Sequence, residues 1–309
     1  MTQKLLNLSP IEFKTILISH GWFDLAPFNM ANDRSSLSLA FIVPQGYGHF
    51  RVFVENNRCF VDIISGTDNL ALSVVQRCFS LDIDVSGLYT AIVDNPQYDW
   101  ITEKKFGRYL RSPTLFEDCF KIMATANTNW SNTKSIIQNT IDKFSPTVNG
   151  TKVFPMPNQL LQVSEDDFKS ETKCGYRAGW FIDLYHRALN KPDLYLGDAW
   201  EQMTAEDFKN ELIQIKGIGE TCASYLGRFY GKPLDYTIDS WITKRCDELW
   251  GLNFRKTNNK GKTKPDLKRY TEWAKSNYDI YAPHGPSIFW FEISKFWHEE
   301  DGFSKKWWE

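Results

Sequence analysis

The stretch "IKGIGETCASY", residues 215–225, constrains the fold of this chain more than any other. Apolar residues at 212, 213, 215 and 218 lead into two glycines one residue apart, and Ala223 and Leu226 resume the helical spacing beyond them. That pattern predicts a helix that ends, a tight hairpin through Gly217–Gly219, and a second helix that begins near Glu220. Glycine at both positions opens backbone conformations closed to other residues and lets another backbone come close. The turn exposes the unpaired N–H groups that open the second helix. With the positive end of the helix dipole, they form an anion site that needs no side chain. A phosphate fits such a site. On the hairpin alone, glycines placed only for close helix packing fit equally well.

The rest of the chain divides by periodicity. Residues 37–64, rich in Val, Ile and Phe and broken at "PQGYG" and "ENN", predict three strands of an antiparallel meander. "NLALSVVQRCFSL" then reads as a helix. From "TLFEDCFKIMATANTNW" onward the spacing is mostly helical, with helices at about 131–144, 164–173, 175–190, 204–214, 220–230, 240–249, 266–277 and 286–298. The boundary falls near residue 105. An N-terminal antiparallel β-sheet domain, 1–105, precedes a helical domain, 106–309, with the hairpin unit at 205–230. The fold class is therefore α+β and mostly helical. "FRKTNNKGKTKPDLKR", 254–269, holds seven Lys or Arg against one acidic residue. It reads either as a solvated insertion or as an arm that contacts phosphate.

Composition narrows the classes of partner. The net charge is −2, so any nucleic acid must be held by a local patch and not by a global basic field. The N-terminus lacks the apolar stretch of a signal peptide and no run is long enough to span a membrane, which predicts a cytoplasmic protein. Its six cysteines (Cys59, Cys78, Cys119, Cys174, Cys222, Cys246) form no C-x-x-C pair and read as structural thiols, not as disulfides, a zinc site or an iron–sulfur cluster. Aromatic residues make up 15% of the chain, enough to supply stacking surfaces as well as core.

Beyond the hairpin comes "FYGKPLDYTIDSW", with Asp239 placed 20 residues after Gly219. Hairpin, Gly231/Pro233 loop and aspartate together resemble the signature of the helix-hairpin-helix superfamily of DNA glycosylases. "SPTLFEDCFKIMATANTNW" resembles the DNA-inserting helix and loop of its 8-oxoguanine and 3-methyladenine II subfamilies, "CGYRAGWFIDLYHRAL" their G-Y-R-A helix, and "YAPHGPSIFWFEISKFW" their last helix. The sheet before residue 105 fits the N-terminal domain of the same two subfamilies. The resemblance implies an enzyme that flips a damaged or modified base out of duplex DNA and hydrolyses its N-glycosidic bond, in repair or in defence against phage DNA with modified bases. It implies a monomer on double-stranded DNA, without an iron–sulfur cluster, since the four-cysteine cluster after the aspartate is missing. A monovalent cation at the hairpin is compatible with it.

Residues carry over one by one. Cleaving the glycosidic bond builds positive charge on the sugar, and Asp239, directly before the helix "SWITKRCDELW", is the carboxylate placed to stabilise it. The alternative for Asp239 is an ordinary helix N-cap. Gly217, Gly219 and the neighbouring Lys216 are the expected phosphate contacts. Thr221 stands where strand-cleaving relatives carry a lysine, two residues past the second glycine, and threonine cannot form a Schiff base. Monofunctional chemistry that leaves an abasic site follows. Asn127, Thr128 and Asn129 occupy the position of the residues that fill the gap in the stack, or simply end a helix. Tyr225 matches a pocket position of the alkylpurine enzymes, while Trp241, Phe289 and Trp290 suit either pocket or core. Trp22, Phe23 and Phe28 in "HGWFDLAPF" could close the pocket, in no order the sequence sets. Three other readings stand beside this one: a DNA-binding module on the same fold without catalysis, which Asp239 opposes; a protein that binds a small ligand, with the hairpin serving packing only; and a bifunctional glycosylase/lyase, which Thr221 opposes.

Overall fold

In the computed structural model, residues 2–257 and 261–298 are described. Residues 258–260 of the basic stretch and 299–309 of the expected helical domain lie outside them. The first portion is a five-stranded antiparallel sheet of β1 (Thr2–Leu5), β2 (Phe28–Met30), β3 (Ser36–Val43), β4 (Gly46–Glu55) and β5 (Arg58–Ser65), in the order β1-β5-β4-β3-β2. The expected meander is its centre. The β4–β5 hairpin closes at Glu55↔Arg58, with Asn56 and Asn57 both at positive φ (48° and 57°). That is the geometry of a two-residue turn matched to strand twist. The two outer strands were not legible in the sequence: β1 is exposed along its whole length, and β2 is three residues long, so neither shows an alternating pattern.

Helices α1 (Pro10–Leu17), α2 (Asp68–Cys78), α3 (Ser86–Ile92) and α4 (Asp99–Glu103) accompany the sheet. The helical portion follows as α5 (Leu115–Ala124), α6 (Trp130–Phe144), α7 (Glu165–Thr172), α8 (Ala178–Asn190), α9 (Pro192–Tyr195), α10 (Ala205–Ile213), α11 (Glu220–Phe229), α12 (Ser240–Trp250), α13 (Leu267–Tyr278) and α14 (Gly285–Ser294). Two small ribbons, β6 (Thr147–Val148) with β7 (Thr151–Lys152) and β8 (Arg255–Thr257) with β9 (Thr263–Pro265), decorate it. No helix among the described residues is long and apolar enough to cross a membrane.

Helix α5 is the axis of the helical portion. Every residue of it is buried, three charged ones included. Burial of charge is tolerated only with partners, and each has them. Lys121 pairs with Glu117 at 2.7 Å and donates to Ser112 Oγ. Asp118 accepts from Trp22 Nε1 (2.7 Å), Ser112 N (2.9 Å) and Tyr230 OH (2.8 Å). The Asp118 bonds fasten three segments to one carboxylate: the N-terminal "HGW" turn, the entry to α5, and the end of α11. Sheet and helices thereby share one continuous apolar core.

Candidate active site

Thr204 caps α10 by accepting the N–H of Asp207 at 3.0 Å, and the helix runs to Ile213 before the glycine turn. Gly217 sits at φ +96°, and a Cβ there would lie 2.5 Å from the Trp180 ring. Only glycine fits. Gly219 differs from the expectation that both glycines need special backbone: its φ is −91°, open to any residue. A Cβ on Gly219 would meet nothing within 4 Å, so its glycine leaves open space above the first turn of α11. As N-cap it supplies no side chain to the N–H groups of that turn. Lys216 is exposed at the turn and does not line the cleft described next. Residues 215–219 carry no side-chain oxygen, so a monovalent cation held there would rest on backbone carbonyls.

A cleft of about 1060 Å³ opens beside the second helix of this hairpin. Thr221, Tyr225 and Asp239 line it together. Asp239 caps α12: its Oδ1 accepts the N–H groups of Trp241 (2.9 Å) and Ile242 (2.8 Å). Its Oδ2 accepts the Tyr225 hydroxyl at 3.1 Å. The cap reading of Asp239 is thus true of one oxygen, while the second is held at the cleft by Tyr225. Burial first, and then the Asp239 charge, push the Tyr225 phenol well above its ordinary value, so it stays a donor. Arg228, stacked over Trp290 (4.7 Å) and Tyr225 (5.1 Å), donates to Thr237 Oγ1 and Pro286 O behind them.

The walls are aromatic. Trp241 stacks on Trp297 at 5.3 Å, and Trp290 meets Tyr225 edge-on. One turn along α11 from Tyr225, Phe229 also lines the cleft, with Trp22 edge-on to it at 5.6 Å and His20 stacked on it at 4.0 Å. A carbonyl only accepts, so the His20 ring proton is on Nε2, donated to Leu110 O at 2.7 Å. Burial lowers this histidine to about 3, and it is neutral. His20, Phe229 and Trp297 were missed in the sequence, although the aromatic "HGWFDLAPF" pointed to the neighbourhood. Of its three unranked aromatics, Trp22 alone lines the cleft; Phe23 and Phe28 do not.

Phe289 is a correction. It packs against Tyr236, Tyr278 and Trp250, is 1% exposed, and does not line the cleft. The cause is α14, buried on every side except at Glu292. Adjacent residues on a helix point about 100° apart, so Trp290 faces the cleft and Phe289 faces α13.

The loop after α5 forms the rim. Asn127, at φ +49°, is exposed, and its amide donates to the hydroxyl of Tyr176 at 3.3 Å. Buried Arg177 clamps the loop from below through the carbonyls of Ala126, Asn127 and Cys174. Thr128 accepts from the Asn132 amide and Asn129 caps α6, so these two shape the loop while lining the same cleft. Tyr176, in the G-Y-R-A stretch, is 57% exposed beside Asn127. Lys244, on α12, supplies the lysine of the cleft.

No family model matches the sequence, and no curated protein matches it. Solved structures do. One is MBOgg1 in complex with a low-affinity DNA ligand, at 15% identity over 96% of this chain and 99% of that one, TM-score 0.67. Another is 3-methyladenine DNA-glycosylase from Archaeoglobus fulgidus, at 14% identity over 95% and 98%, TM-score 0.66. A third is the Clostridium acetobutylicum 8-oxoguanine glycosylase/lyase with double-stranded DNA, at 16% identity over 89% and 92%, TM-score 0.62. The chain has the α+β, mostly helical fold of these structures along nearly its whole length.

Proposed function

We propose that this protein is a monofunctional DNA glycosylase. The observation that carries the reading is Asp239. Its carboxylate is fixed by two backbone N–H groups and by the Tyr225 hydroxyl, at an aromatic cleft beside an open helix N-terminus. The fold shared with DNA-bound glycosylases supports it. The glycine turn binds a phosphate of the duplex, Asn127 enters the stack, and the extruded base lies among the aromatic walls. As the C1′–N bond breaks, its electron pair leaves with the base and positive charge grows on the sugar beside Asp239. A water oxygen then bonds to C1′; its proton passes to Asp239 or solvent, and the base is released protonated from solvent.

Thr221 has no amine to attack the sugar, which favours water as nucleophile. Incubation with duplexes carrying alkylated, oxidised, deaminated or bulky modified bases, followed by mass spectrometry of released bases, tests the activity. It also separates a repair role from defence against modified phage DNA. Release of a free base with the abasic strand intact is expected, and borohydride should trap no protein–DNA adduct. An adduct that disappears in Lys244→Ala would make the enzyme a lyase through Lys244. Duplex binding without release of any base would leave a binding module.

A further inference from the structure

We propose that the β8–β9 ribbon is a second phosphate-gripping arm for duplex DNA, working at the far end of the cleft from Asp239. It rests on the glycosylase reading above. Lys256 and Lys264 are direct cross-strand partners in this ribbon. Cross-strand partners project from the same face, and like charges directly opposite are destabilising. A free-standing two-stranded ribbon is marginal to begin with, and each strand here has three residues, nearly all exposed. The sequence therefore concentrates positive charge where folding alone disfavours it. Neutralisation is incomplete: Lys256 stands 3.7 Å from Asp266, and Lys264 has no carboxylate partner among the described residues. An anion shared by both ammonium groups relieves the repulsion.

Placement makes that anion a DNA phosphate. One face of α12 lines the cleft from Ser240 through Trp241, Lys244 and Arg245 to Glu248. The ribbon is tied to the last turn of that helix, where Arg255 donates to Asp247 at 2.6 Å and the Asn253 N–H bonds the same carboxylate at 2.8 Å, and to α13, where Phe254 packs on Tyr270. The eight residues from Asp239 to Asp247 put the ribbon's tie about 12 Å along α12 from Asp239. That is roughly three to four base-pair rises of 3.4 Å. Exposed Lys244 stands between them on the cleft side, and the acid on that face, Glu248, is paired with Arg245. The glycine turn and the ribbon would hold the duplex on either side of the extruded base.

The test is Lys256→Gln/Lys264→Gln in the full chain, with undamaged duplex titrated at several salt concentrations. Losing the one phosphate that the two lysines share lowers the slope of log affinity against log salt by about one, whatever the sequence. Base release from saturating DNA should be unchanged. The thermal midpoint should stay or rise because the repulsion is gone, which separates the effect from misfolding. Wild-type binding with an unchanged slope in the variant overturns the arm and leaves the glycosylase reading intact. A wild-type protein that binds no duplex overturns both.

Discussion

At the scale of single residues, the site divides its work between the two oxygens of one carboxylate. Oδ1 of Asp239 is spent on the α12 cap, so Asp239→Asn keeps an acceptor there and the helix stays formed. The charge, however, is lost. Base release should fall about a hundredfold to a thousandfold, the range of preorganised electrostatic groups, while duplex affinity holds. Single-turnover release beside a binding titration measures both, and a near wild-type rate would remove Asp239 from the mechanism. Tyr225 was expected as a pocket wall, and the structure adds a bond to Asp239 Oδ2. Hydrogen bonds to a charged group are worth roughly 1.5–3 kcal/mol. Tyr225→Phe keeps the ring and should slow release about tenfold to a hundredfold with little change in binding; equal losses in both would mean that the hydroxyl acts on the bound base instead. The resemblance to the glycosylase signature pointed to Asp239, but nothing in the spacing of positions 225 and 239 said that their side chains meet. That contact depends on how α11 and α12 cross.

At the scale of elements, the glycine hairpin was readable because turn chemistry is local, and its division of labour was not. Gly217 alone has the positive φ and the Trp180 ring against it, and Trp180 comes from α8, distant in sequence. Gly217→Ala should therefore cost about 1–3 kcal/mol of stability, from backbone strain and the collision with the indole. Gly219→Ala, at an N-cap where glycine is better than alanine, should cost only about 0.5–1 kcal/mol and weaken binding to damaged and undamaged duplex alike, because phosphate contacts carry no sequence information. Urea melts and duplex titrations of both variants decide it: a Gly219→Ala as destabilised as Gly217→Ala, or one impaired on a single modified base, contradicts this assignment. The same logic explains Phe289. A helix buried all round has no polar face to orient it, so the sequence of α14 could not say which of its aromatics reaches the cleft.

At the scale of the whole molecule, the cleft wall is part of the core, and that ties stability to acid. His20 stacks on Phe229 at the cleft and donates to Leu110 in the segment that leads to α5. It is 5% exposed, and Arg228 and Lys121 add repulsion to the cost of burying its cation. Its folded value of about 3 lies below the ordinary 6.5. Between those two values the unfolded chain binds a proton that the native protein refuses. The stabilising contribution is therefore whole above about pH 6.5 and is lost as pH falls toward 3, at up to about 1.4 kcal/mol per pH unit. His20→Phe keeps the ring stack on Phe229 and removes the titration, at the expense of the bond to Leu110. The variant should be the less stable protein near neutrality. Between pH 6 and 4 wild type should lose roughly 2 kcal/mol more than the variant. Urea denaturation of both proteins across that range gives the difference directly. Parallel pH profiles would show that His20 takes up its proton without unfolding, and that the wall carrying Trp22 and Phe229 opens in the native state.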